Sequence, residues 1–189
     1  MRRRNILILV AILVVLGGYF GISRWPKAKP PSPPAVNAWA IDRADLARFS
    51  VRLTRDARSA TFVQAADSTW HFDDAGKSPT DPNRWGGIPL LLNGPKTERI
   101  IARDASPDLL AKFGLTQPQM TIVLTLKNGA ILNIAVGDQV PNGSAFYLRV
   151  PNSNDVATVD NSWFVVFQNL VENPPLAPQA PGAPQPASR

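Results

Sequence analysis

The 189-residue chain contains no cysteine and a single histidine, His71. Without cysteine there is no disulfide framework, no cysteine-ligated zinc, no thiol nucleophile and no bacterial lipoprotein anchor. One histidine excludes poly-histidine metal centres and leaves little material for acid–base chemistry near neutral pH. Glutamate is scarce too: Glu98 and Glu172 stand beside twelve aspartates, scattered with no spacing that pairs two carboxylates. No Gly-x-Ser-x-Gly elbow exposes a serine, and no Walker or dinucleotide glycine pattern occurs. Asn152, Asn154 and Asp155 offer oxygen ligands but lack the twelve-residue calcium loop. The expectation is a protein that is not an enzyme and holds no cofactor or metal.

Acidic residues are absent from one stretch. Residues 1–37 carry Arg2, Arg3, Arg4, Arg24, Lys27 and Lys29 and no carboxylate. Residues 38–174 hold 13 Lys/Arg against 14 Asp/Glu, a net charge of −1. The sequence pI near 10.2 therefore belongs to the leader. A nucleic-acid binder needs its basic excess on the domain that docks, so no nucleic-acid partner is expected.

Residues 6–22 run ILILVAILVVLGGYFGI without a charge. Extended to residues 5–23, a helix at ~1.5 Å per residue spans ~28 Å, close to a bilayer core. Arg2 to Arg4 should stay cytoplasmic by the positive-inside rule, leaving the rest of the chain outside. Arg24, Lys27 and Lys29 oppose this orientation without reversing it. A cleaved signal peptide would have a shorter apolar core and a small-x-small site. Only Gly21-Ile22-Ser23 offers one, so a retained anchor is favoured. Gly17 and Gly21 form a GxxxG pair too near one end, and too ordinary in such spans, to imply a dimer.

The expected organisation is a basic stub at 1–5, a transmembrane signal-anchor at 6–23 and a proline-rich linker at 24–37. An extracytoplasmic domain at 38–172 and a disordered Pro/Ala-rich tail at 173–189 follow. Half of residues 25–34 are proline, which favours extended polyproline II. The tail has six prolines among Ala and Gln and reads as solvated chain.

Within the domain, residues 38–41 predict a strand with Trp39 and Ile41 on one face. Phe49, Val51 and Leu53 alternate with Arg48, Ser50, Arg52 and Thr54, the period of a half-buried strand. Strands at 61–65 and 69–73 continue a meander, with Trp70 and Phe72 on one face and His71 on the other. Thr80 or Asp81 before Pro82 starts a helix, which Gly86, Gly87 and Pro89 should break. Residues 99–102 read as a strand. Ser106 caps a short helix that Gly114 ends. Between residues 120 and 136, a three-residue loop Lys127-Asn128-Gly129 pairs Leu126 with Ala130, Leu124 with Leu132 and Ile122 with Ile134. A two-residue turn would set Leu124 against Asn133, so the bulged loop is predicted. Strands at 146–150 and 156–159 lead to a helix capped by Asp160 or Asn161. Its apolar stripe is Trp163, Phe164, Phe167, Leu170 and Val171. The class is α+β, antiparallel strands with a few short helices packed on the sheet, preceded by one transmembrane helix.

Residues 108–137, DLLAKFGLTQPQMTIVLTLKNGAILNIAVG, followed by the FYLRV strand, resemble one bacterial family, the domain of unknown function 4340. Phe113-Gly114-Leu115 with Pro118 is similar to that family's yGL-x-x-P turn. Val136-Gly137-Asp138, Tyr147, the Trp70 strand and the opening Trp39 and Ile41 follow its pattern, over roughly residues 38–171. The interrupted helix and the single module depart from it. The resemblance implies an extracytoplasmic, membrane-tethered α+β module; some relatives are encoded beside gliding-type ABC transporter components. The family has no agreed catalytic residues to carry over.

Arg43, Arg48, Arg52, Arg55 and Arg58 form the one cationic cluster of the domain, partly neutralised by Asp42, Asp45 and Asp56. Arg48 and Arg52 share a strand face, which reads either as an ordinary solvated face or as a surface for an acidic partner or anionic headgroups. The candidate partner surface is Arg48, Arg52, Arg55 and Trp85. The function expected is a single-pass, non-enzymatic module of the bacterial inner membrane. Residues 6–23 would lie in the bilayer, and a protein partner in an envelope complex would dock on the extracytoplasmic domain. The alternative is a ligand-capturing accessory subunit of an ABC-type transporter, which a deep apolar pocket with convergent polar groups would favour. An enzyme would require His71 in a cleft beside a carboxylate.

Overall fold

A computed structural model describes residues 36–97 and 100–178. The expected stub, anchor and most of the linker and tail lie outside these residues. Among the described residues no helix is long and apolar enough to cross a membrane.

The chain opens with β1 (Val36–Asn37) and a 3₁₀ turn at Arg43–Asp45, then runs into β2 (Leu46–Leu53), β3 (Arg58–Gln64) and β4 (Trp70–Phe72). Helices α1 (Pro82–Trp85) and α2 (Ile88–Leu91) precede β5 (Lys96–Thr97) and β6 (Ile100–Ala102). After α3 (Pro107–Lys112) come β7 (Met120–Leu126), β8 (Ile131–Gln139), β9 (Ala145–Arg149), β10 (Val156–Asp160) and α4 (Asn161–Glu172). Eight strands form one sheet in the order β4-β3-β2-β7-β8-β9-β10-β6, with every neighbouring pair antiparallel. The α+β class stands.

Local chemistry accounts for the elements. The β7–β8 register is the predicted one: Ile122 faces Ile134, Leu124 faces Leu132, and the Leu126 amide donates to the Ala130 carbonyl at 2.9 Å. Gly129 takes φ +85 in the loop, and the Lys127 amide turns away to the Asp45 carbonyl at 2.7 Å. Asp81 caps α1 through the Asn83 amide, and Gly86 and Gly87 break the helix as expected. Asp160 caps α4 by accepting from the Ser162 amide at 2.7 Å. The five apolar residues read as the stripe of α4 are its five buried ones. Burying each such side chain contributes about 1.5–3 kcal/mol, which holds α4 across the inner face of the sheet, with Phe164 stacked on Phe146 at 3.9 Å and Phe49, Ile122, Ile134 and Leu148 in the same core cluster.

Two segments differ from expectation. Residues 38–41 are not a strand: the pairing falls earlier, Val36 opposite Thr97 and Asn37 opposite Lys96. Trp39 is buried instead by side-chain packing, donating its indole N–H to the Leu92 carbonyl at 2.9 Å and meeting Trp163 edge-on. A large aromatic with one donor fills a core corner as readily as a strand position, and periodicity over four residues cannot separate the two. At the other end, residues 173–178 lie along the domain. The Pro175 carbonyl accepts from the Asp81 amide at 2.9 Å and the Ala177 amide donates to the Pro79 carbonyl at 3.1 Å. Described chain thus extends past residue 172, where the disordered tail was expected to begin.

Candidate functional site

The pleat of β2 sends Phe49, Val51 and Leu53 into the core and Arg48, Ser50 and Arg52 to the opposite, outer face. Register carries that face across the sheet. Arg48 lies between Val63 and Thr125, Ser50 between Thr61 and Val123, and Arg52 between Ser59 and Thr121. Beyond them stand Ala135, Asn133 and Ile131 on β8, the last 54% exposed.

Among the described residues the outer face is covered at one end alone. There α3 lays Leu109, Leu110 and Phe113 on Ala135, Tyr147 and Val156, with Phe113 stacked on Tyr147 at 4.3 Å. A backbone clasp holds this cover down. The Asp138 amide donates to the Phe113 carbonyl at 2.8 Å. Gly137 leaves that carbonyl room: a Cβ there would overlap the Phe113 oxygen and lie 3.1 Å from Leu115 Cδ2. Gly114, at φ +69, ends α3 and sits where a Cβ would meet the Asp138 carboxylate at 2.6 Å. Gln119 Nε2 donates to the same carboxylate at 3.3 Å. The Phe113-Gly114-Leu115 turn and the Gly137-Asp138 bulge are two halves of one contact. Each half is visible in the sequence and their contact is not, because their approach is a tertiary event with no local period.

The rest of the outer face, over β3, β2, β7 and the first half of β8, is left bare among the described residues. Arg48 is paired with Asp73 at 2.6 Å, and Lys77 approaches the same carboxylate at 3.8 Å. Arg58 pairs with Asp56 and Glu172. Arg52 and Arg55 have no carboxylate within ion-pair distance among the described residues. An exposed pair such as Arg48–Asp73 is worth at most about 1 kcal/mol, so a partner's carboxylates can compete for Arg48 at small cost.

Of the four expected surface residues, Arg48 and Arg52 share this face. Arg55 lies in the turn between β2 and β3 and does not join them: it borders a hollow with Phe164, Gln168 and Glu172 of α4. Trp85 does not join them. It is 7% exposed on the core side, against Phe49, Phe62 and Trp70 with ring centroids 4.9–5.9 Å away. The short broken helix is there as expected, but α1 turns the indole inward. Hollows of about 390 and 410 Å³ border the Gly86–Gly87 break, and Trp85 lines both.

His71 sits on the outer face opposite Val63. Its Nε2 lies 2.8 Å from Thr69 Oγ1 and its Nδ1 3.0 Å from the Lys77 carbonyl oxygen. Thr69 donates its hydroxyl to Asp67 at 2.6 Å. That hydroxyl bond, with the Thr69 amide, holds the Asp67 carboxyl below its ordinary value. His71 is thus packed against the turns on either side of β4. The 152–155 loop is tied in the same way: Asn154 Oδ1 accepts from Arg149 at 2.8 Å and Asp155 Oδ1 from the Asp104 amide at 2.8 Å. Among the described residues no group of three His, Asp or Glu is placed to hold a metal.

The sequence model of the family described as Domain of unknown function (DUF4340) matches residues 70–170, more than half of the chain. The match runs from β4 to the last turn of α4. It contains both halves of the clasp, and leaves β2, with Arg48 and Arg52, outside. No curated protein and no solved structure matches the chain.

Proposed function

The chain belongs to the DUF4340 family, and from that premise we propose that it is a non-enzymatic docking module of the bacterial cell envelope. Residues 6–23 would span the inner membrane once and hold the domain on the extracytoplasmic side. An acidic protein partner would dock on the bare part of the outer sheet face, around Arg48, Ser50 and Arg52. The observation that carries this reading is the divided outer face. The clasp covers one end with α3 and leaves the adjoining strands presenting a mixed Thr, Ser, Val and Arg surface, in which Arg52 has no acidic neighbour within ion-pair distance among the described residues. A cationic patch of this kind steers an acidic partner and fixes its register more than it supplies raw affinity.

Affinity purification of the full chain from detergent-solubilised membranes tests it. The reading expects one partner recovered in stoichiometric amount at low salt, and lost with Arg52→Glu. A wild-type chain recovered alone in repeated trials contradicts it.

A further inference from the structure

The hollows beside the broken helix lie on the side of the sheet away from the docking face, and their chemistry is different. One, of about 390 Å³, opens between α1–α2 and α4 with Ile88, Leu91, Val166 and Leu170 on its walls. That volume falls at the low end for small-molecule sites. Past Leu91 and Val166, which line both, a second hollow of about 320 Å³ continues along Pro95 and Trp163 and is bordered by Asp160 and Ser162. The two together make an elongated apolar track, with Leu90 left 54% exposed beside it.

The cationic and amide side chains gather at one end of this track. Arg84 donates to the carbonyls of Asn173 at 2.8 Å and Pro174 at 3.1 Å, two of the five N–H bonds of a guanidinium. It has no carboxylate within ion-pair distance among the described residues. Asn169 and Asn173 line the same end. Trp85 lines it too, and its indole N–H, a donor only, is buried with no hydrogen-bond partner. Cation and donors at one end, with a narrow apolar track leading away, describe the complement of one kind of molecule.

We propose that this track binds a single-chain anionic amphiphile, an acyl chain ending in a carboxylate. Its head would sit at Arg84 and Asn173 and its chain would run over Leu91 and Val166 towards Trp163. The inference stands apart from the docking face: it needs neither a partner nor Arg48 and Arg52.

The test uses the full chain, purified in amphipol, and dodecanoate carrying a photoreactive diazirine near its methyl end, with the matching dodecanol as the uncharged probe. The expected result is saturable labelling by the carboxylate within residues 88–95 or 163–166, competed by plain dodecanoate and about tenfold stronger than labelling by the alcohol. Arg84→Gln should bring the carboxylate down to the level of the alcohol, and Val166→Trp should block both probes. Equal labelling of the wild-type chain by carboxylate and alcohol overturns the anion site, whatever the variants do. Labelling confined to residues 6–23 reduces the effect to partition into the apolar leader and overturns the proposal as well.

Discussion

Replacing Gly137 by alanine tests the clasp that divides the outer face. The position has ordinary backbone angles, so alanine costs nothing in conformation there, and the cost is one of space. The new Cβ would overlap the Phe113 carbonyl oxygen and stand 3.0 Å from the Gly114 carbonyl carbon and 3.1 Å from Leu115 Cδ2. Ordinary contact needs 3.4 Å or more, so the turn after α3 must lift away from β8. Lifting it breaks the 2.8 Å bond from the Asp138 amide to the Phe113 carbonyl, worth about 1 kcal/mol. It also loosens Leu110, Leu115 and Val156 and the Phe113–Tyr147 stack, an overpacking cost of about 1–3 kcal/mol. Urea unfolding of the full-length chain, followed by tryptophan fluorescence, should show a loss of about 2–4 kcal/mol. Gly129→Ala is the contrast. That glycine has φ +85 and nothing within 4 Å of a Cβ, so it should lose about 1 kcal/mol, the conformational share alone. If the two variants lose equally little, the close approach of α3 to β8 is wrong, and with it the reason one end of the face is covered.

Two further outcomes follow from the same geometry. Trp39→Phe removes the donor that satisfies the buried Leu92 carbonyl and should cost about 1–3 kcal/mol in the same unfolding assay; an unchanged midpoint would mean that the indole bond is not formed. Asp67, Asp74 and Asp160 all have carboxyls held below the ordinary 3.8: Asp67 chiefly by the Thr69 hydroxyl, Asp74 by the Ser78 amide and Asp160 by the Ser162 side chain. A carboxyl with a lowered folded-state value contributes stability that is present above its unfolded value and lost as pH falls through the folded one. Stability should therefore be flat above about pH 4 from these groups and decline below it, and Asp160→Asn, which keeps a cap without the charge, should shrink that decline.

Much of this architecture is legible in the amino-acid sequence, and the reason is local. The β7–β8 register follows from apolar spacing plus a glycine that tolerates positive φ in the loop, both contained in one hairpin. The caps Asp81, Ser106 and Asp160 are side chains that bond amides two or three residues ahead. The alternation of β2 places Arg48 and Arg52 on the outer face for the same reason. What is not legible depends on chain segments far apart. That β2 lies beside β7, and β6 at the far edge beside β10, is set by how faces bury one another, not by any spacing. Trp85 departs from expectation because a short broken helix does not show from its sequence which side faces the core, while four aromatic rings from β2, β3, β4 and α1 gather around one point there. The groove at Arg84 leaves no sequence signal because it is assembled from α1, α2, α4 and the residues after it, each unremarkable alone.

The absence of cysteine allows the central claim to be put to one measurement. Single cysteines at Ser50, on the bare face, and at Gln117, exposed in the loop before β7, are labelled with a membrane-impermeant maleimide. Each rate is taken on intact cells with the outer envelope permeabilised and again on the purified chain. The account predicts that Gln117→Cys reacts at the same rate in both settings, while Ser50→Cys is severalfold slower in cells and regains its rate on purification or with Arg52→Glu. Equal rates for Ser50→Cys in the two settings would mean that nothing covers the face, and no labelling of either cysteine before lysis would put the domain on the wrong side of the membrane.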